Sequence, residues 1–158
     1  MPLGPAVLPP PDGPLRATRY GPLVSYHRPY VQGLVPFVRV RDVMRSTAFY
    51  ELFGFEVLES FEPGGHRVWC WLEQHQARLM LEEAGGPVVA GEQAVQFYVY
   101  ADDLEELHER LREAGFEPGP IGPGAPGPDR EFRVDDPDGY CVMVTDTFEM
   151  SLHPLAEP

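Results

Sequence analysis

The sequence predicts an α+β fold built from two tandem β-α-β-β-β modules, and three observations carry that prediction. Residues 35–57 and 96–118 match at a constant spacing of 61: Val35 falls on Gln96, Val38 on Val99, Asp42 on Asp103, Gly54 on Gly115, Phe55 on Phe116 and Glu56 on Glu117. In each copy an alternating apolar stretch gives way to apolar residues at helical spacing. Each helical stretch opens on an aspartate suited to capping and closes on a glycine suited to stopping. A duplicated chain has two equivalent interior faces, and the cleft between them is the natural place for a ligand.

The first 30 residues hold eight prolines and little periodicity, so they read as an extended or disordered arm over 1–33, which Tyr20, Tyr26, His27 and Tyr30 could dock on the core or on a partner subunit. The folded region is expected over 34–146, with modules 34–84 and 94–146, followed by a tail over 147–158. Residues 34–41 alternate, which places Val35, Phe37, Arg39 and Arg41 on one sheet face and Pro36, Val38 and Val40 on the other. A helix follows Asp42, with Met44, Ala48, Phe49, Leu52 and Phe53 at helical spacing, and ends at Gly54. Strands are expected near 55–61, 66–73 and 77–82, and a Gly-rich link over 85–91 closes the first module.

The second module opens on the alternating stretch 95–100. Its helix has Asp103 as cap and Glu106 three residues on, then Leu104, Leu107, Leu111 and Ala114 on one face before Gly115. Strands are expected near 116–121, 130–135 and 140–145. Nine of the 11 residues over 118–128 are Gly or Pro, which makes that segment a loop, exposed or flap-like. Asp136, Pro137, Asp138 and Gly139 read as a tight structural turn: proline presets it, aspartate bonds to the backbone and glycine supplies positive φ.

Composition narrows the function classes. A 158-residue chain that is 43% hydrophobic can bury one full core. It has no apolar run long enough for a membrane span and no signal-peptide pattern at its start, so a cytoplasmic protein is expected. Cys70 and Cys141 lack metal-type spacing and read as buried free thiols. Twenty-five acids against 12 arginines, with no lysine, give a net charge of −13. That field disfavours nucleic acid and anionic membranes and draws in cationic ligands, although acidity also serves plain solubility.

Residues 39–57 and 130–146 together resemble the glyoxalase, bleomycin-resistance and extradiol-dioxygenase superfamily, the vicinal-oxygen-chelate fold. Asp42, Ser46, Phe49, Tyr50, Gly54 and Phe55 carry the first half of the resemblance and the turn at 136–139 the second, and it spans about 34–146. It implies an incompletely closed, eight-stranded mixed sheet around a cavity, with the helices outside. It also implies four inward positions, two per module, that hold a divalent metal in the enzymes. These correspond here to Val35, Met80, Gln96 and Met143. Valine offers no donor, methionine is a soft and weak ligand, and only Gln96 could coordinate a hard cation. The five histidines do not mend the set, since His27, His66, His75, His108 and His153 show no common ligand spacing. The expectation is therefore no metal and no cofactor.

The resemblance is strongest to the metal-free bleomycin-resistance-like members, homodimers that sequester a flat cationic drug. The expected ligand-binding residues are Phe37, Arg39, Trp69, Trp71, Met80, Gln96, Tyr98, Tyr100 and Met143. Aromatic rings offer stacking area, methionine adapts to irregular shapes and a few polar tips orient the ligand. Several of these residues would equally serve as core packing. Arg39 stands four residues after Val35, where the resemblance implies a carboxylate-binding arginine, and it could instead pair with Glu82. The alternative function is a lyase, isomerase or dioxygenase of the same superfamily, for which Glu131 and Asp135 are candidate bases. A regulatory or dimerisation module would fit a cleft closed by the two tryptophans. No phosphate loop or catalytic triad pattern occurs.

Overall fold

The computed structural model describes residues 33–89, 92, 95–124 and 129–146, and all but Gly33 belong to one unit, Leu34–Pro158. The expected arm (Gly33 apart) and tail lie outside the described residues, as do Tyr20, Tyr26, His27, Tyr30 and His153. The first module runs β1 (Phe37–Val40), α1 (Val43–Glu51), β2 (Glu56–Phe61), β3 (Trp69–Gln74) and β4 (Ala77–Glu83). The second runs β5 (Gln96–Ala101), α2 (Leu104–Glu113), β6 (Glu131–Asp135) and β7 (Cys141–Asp146).

Both helix starts follow from local chemistry. The Asp42 carboxylate accepts from the Arg45 N–H at 3.0 Å and that of Asp103 from the Glu106 N–H at 2.9 Å. Each cap satisfies a donor that the helix itself leaves orphaned. Gly54 and Gly115 end the helices with φ of 85° and 88°, a left-handed backbone that glycine takes without strain.

The strands form two mixed sheets, ordered β1-β4-β3-β2 and β5-β7-β6. In each, the first strand pairs in parallel with the last, Phe37 opposite Met80 and Tyr98 opposite Met143. The duplication is thus visible in the strand register. Val38, Val40, Cys70, Leu72, Leu79 and Leu81 on one sheet, with Phe132, Val134, Val142 and Val144 on the other, join both helices in a single buried cluster. Each sheet turns one face to that shared core and leaves its other face outward.

The eighth strand, expected over 116–121, does not form. Pro118 and Pro120 carry no N–H to give a ladder. What remains of the pairing is a hydrogen bond from Gly119 N–H to the Arg133 carbonyl (2.8 Å) and a bridge between Gly122 and Glu131. Residues 63–65 form a single 3-10 turn rather than a plain link, with Gly64 at φ 65°.

The turn at 136–139 does more than reverse the chain. Asp136 accepts from the N–H groups of Asp138 and Tyr140, both at 2.8 Å, and Gly139 takes φ 83°. The same turn reaches into the first module. Asp136 receives the Tyr50 hydroxyl, Asp138 receives Arg41 Nε at 2.5 Å and the Ser46 hydroxyl at 3.3 Å, and the Tyr140 hydroxyl donates to the Arg39 carbonyl at 2.9 Å. Asp136, Asp138, Ser46, Tyr50 and Tyr140 are all buried, so this polar cluster joins the modules away from water.

Candidate functional site

The nine expected ligand residues divide between the two outward sheet faces. Strand register on the first sheet sets Phe37, Met80, Trp71 and Glu59 in one row, and Arg39, Glu82, Trp69 and Phe61 in the next. Alternation explains the grouping: Val38, Val40, Cys70, Leu72, Leu79 and Leu81 take the core side, so their neighbours take the other. Phe37 is 49% exposed, whereas Trp69, Trp71 and Met80 are half-buried. The indole N–H of Trp71 is buried and donates to no acceptor among the described residues. A buried donor left open in this way costs stability unless something else accepts from it.

On the second sheet Gln96 lies opposite Cys141, Tyr98 opposite Met143 and Tyr100 opposite Thr145. The Tyr98 and Tyr100 rings lie 5.8 Å apart. Tyr98 donates its hydroxyl to Glu131, and that bond to a carboxylate pushes the Tyr98 phenol up to about 12. Replacing Glu131 with Gln is therefore expected to bring the Tyr98 ionisation back toward the ordinary phenol value near 10. Absorbance of tyrosinate followed through an alkaline titration reads this directly, and an unchanged curve would show that the bond is not held in solution.

Arg39 takes the ion-pair option, with Nε 3.3 Å from Glu82. Both candidate bases are engaged as well: Glu131 by Tyr98, and Asp135 by Arg133 at 2.8 Å. Among the histidines, His66 meets Glu83 at 2.7 Å, His108 meets the Gly119 carbonyl at 2.9 Å, and His75 sits at a hairpin tip with φ 50°. Cys70 and Cys141 are buried free thiols, each held above the ordinary thiol value by burial.

The four positions that the superfamily's enzymes use for metal do not fit such an ion. Val35, Met80, Gln96 and Met143 supply one amide oxygen and two thioethers, with neither a carboxylate nor an imidazole. Among the described residues, no three His, Cys, Asp or Glu side chains converge in a metal-holding group.

Clefts that open on the surface of the described residues include three. One of about 500 Å³ lies beside Phe37, Arg39, Gly85, Gly86 and Tyr140, and one of about 300 Å³ lies between Met143, Phe132 and the 119–123 segment. The largest of these three, about 580 Å³, sits between the modules and is walled by Phe53, Phe55, His75, Tyr98, Tyr100 and Leu107. None of the three contains both Trp71 and Tyr98, so the two outward faces do not share any of these clefts. Sequence reasoning missed the contribution of Phe53, Phe55, His75 and Leu107 to a cleft. Phe53 and Leu107 read there as helix core residues, and only their position at a module boundary hinted otherwise.

Among the described residues no helix is long and apolar enough to cross a membrane. The family model for the glyoxalase/bleomycin resistance protein/dioxygenase superfamily matches residues 31–144. The fold is similar to a bleomycin resistance determinant encoded on the transposon Tn5, at TM-score 0.60 and 18% identity over 75% of this chain and 99% of that one. It is similar to a bleomycin-binding protein from bleomycin-producing Streptomyces verticillus, complexed with copper(II)-bleomycin, at 0.55 and 24% over 74% and 97%. It is also similar to the fosfomycin resistance protein FosX from Listeria monocytogenes, complexed with Mn(II) and a dihydroxypropylphosphonic acid, at 0.57 and 20% over 75% and 92%. No curated protein matches the sequence.

Proposed function

The chain belongs to the glyoxalase/bleomycin resistance protein/dioxygenase superfamily, and within it we propose a metal-independent binding protein that sequesters an aromatic or cationic compound such as an antibiotic. The observation that carries this reading is the Trp71 row: Phe37, Met80 and Trp71 side by side on an outward face, with a buried indole N–H that finds no acceptor among the described residues. Such a surface stacks against a flat ring. The soft, donor-poor set at the four metal positions supports binding over metal-assisted chemistry.

The cavity on this reading is shared by two copies of the chain. Each copy contributes one half, the Trp71 face of one meeting the Tyr98 face of the other. Exposed apolar residues on both faces, Phe37 and Phe61 on one and Tyr98 and Tyr100 on the other, are the surface such an interface would cover.

The test has two arms. Protein purified without chelator, then incubated with nickel, zinc, manganese or iron(II) and desalted, is expected to retain well under one equivalent of metal. Retention of one equivalent would favour a lyase, isomerase or dioxygenase instead. Calorimetry with bleomycin and other flat cations is expected to find a ligand whose affinity falls tenfold or more in Trp71→Ala, a loss of about 1.4 kcal/mol or greater. Mixing Trp71→Ala with Tyr98→Ala chains should restore one intact site per mixed dimer. No recovery on mixing would place the site within a single chain.

A further inference from the structure

The two module junctions are related by the duplication, yet only one of them is filled. Aligning Met80 with Met143 by their register opposite Phe37 and Tyr98 sets His75 where Asp138 stands and Ala77 where Tyr140 stands. The spacing that pairs Asp42 with Asp103 sets Leu107 where Ser46 stands and Leu111 where Tyr50 stands. At the filled junction Asp138, Asp136 and Tyr140 reach across to Arg41, Ser46, Tyr50 and the β1 backbone. At its counterpart the bridging tyrosine is an alanine and the helix presents leucines, so the hairpin at 74–77 cannot make the same polar contacts. The 580 Å³ cleft lies at that counterpart, bounded by Gln74 and Ala77, the end of β5 and the first turns of α2.

We infer that this cleft is a second small-molecule site, separate from the Trp71 face although it shares Tyr98 and Tyr100 with the other outward face, and that it takes a compact organic cation with an aromatic body. Its volume falls in the range of ligand pockets, about 300–1,000 Å³. Phe53, Phe55, Tyr98 and Tyr100 supply ring surface along its walls. Even with Asp102 left out of the count, Asp103 and Glu106 set two carboxylates against the single guanidinium of Arg110 among the lining side chains, and Arg110 is itself paired with Glu106. The excess is negative, so a cation gains from both the local field and the ring faces. An anion of the same shape meets the opposite field.

Fluorescence titration of the full-length chain with proflavine, a flat diaminoacridine cation, tests the assignment. Ala77 is exposed at the edge of its hairpin, so Ala77→Trp can fill the cleft without entering the core. The expected result is a class of proflavine sites weakened tenfold or more by Ala77→Trp and left intact by Trp71→Ala. Glu106→Gln, an exposed substitution, should weaken the same class severalfold and provides the reading if Ala77→Trp melts early. Uncharged acridine at pH 8 should bind this class at least tenfold more weakly than proflavine. Isotherms for Ala77→Trp and Glu106→Gln that both superimpose on the parent would overturn the site. Equal binding of acridine would overturn its assignment to cations. Loss of binding only in Trp71→Ala would also sink the second site while sparing the sheet-face reading.

Discussion

Phe49→Ala is expected to lower the free energy of unfolding by about 3–5 kcal/mol, the usual range for deleting a fully buried phenylalanine. Phe49 is wholly inaccessible to solvent. Its ring meets Tyr50 at 5.1 Å, Phe53 at 5.2 Å and Phe116 at 4.9 Å between centroids. Phe116 belongs to the second module, so removing this one side chain opens a void in the aromatic contact between the two halves. Chain stability of a domain this size is about 5–15 kcal/mol, so the loss is a large share of the whole. Urea denaturation should show the midpoint falling with little change in slope. Phe49→Leu, which keeps most of the volume, should lose markedly less. A cost under 1 kcal/mol for the alanine variant would mean that the modules do not depend on this contact.

The second large effect belongs to Asp136. Asp136→Ala strands the Tyr50 hydroxyl and the N–H groups of Asp138 and Tyr140, which now donate to its carboxylate. The expected cost is about 2–4 kcal/mol, because buried donors without partners carry their full desolvation penalty. Asp136→Asn keeps an acceptor and should cost less, with a sign that changes with pH. Burial holds the Asp136 carboxyl above its ordinary value, although the Tyr140 and Asp138 N–H groups pull it down. The folded chain therefore keeps this proton to a higher pH than the unfolded chain. The group's contribution is fully present below the unfolded value and is lost as pH rises through the folded one. Parent and Asn variant, compared by denaturation across that window, should shift in favour of Asn as pH rises. A parallel pair of curves would show that Asp136 titrates alike in both states.

What could be read from the sequence was local or periodic. Asp42 and Asp103 cap their helices because the carboxylate and its N–H lie three residues apart, a geometry that needs no distant partner. Alternation in β1 and β5 gave the sides taken by Val38 and Tyr98, since a strand offers only two faces. The strand over 116–121 was overestimated because its apolar residues sit among prolines that cannot join a ladder. The turn at 136–139 was recognised by its residue types, which say nothing of its reach to Arg41 and Tyr50. Periodicity also leaves unstated what an outward face meets, so it could not separate the Trp71 face from the Tyr98 face. The cleft at the unfilled junction depends on two elements meeting across the molecule, and no run of residues announces it.

The proline-rich segment that stands in place of an eighth strand has a further effect on how the chain behaves at high concentration. β6 lies at the border of its sheet, and an uncovered border strand is a template on which other chains can add. Gly119 and Gly122 occupy part of that border with three hydrogen bonds, while Pro118, Pro120 and Pro123 bring no N–H that could extend it. The segment thus covers part of the β6 border without offering a new run of N–H groups, which disfavours the addition of further chains there.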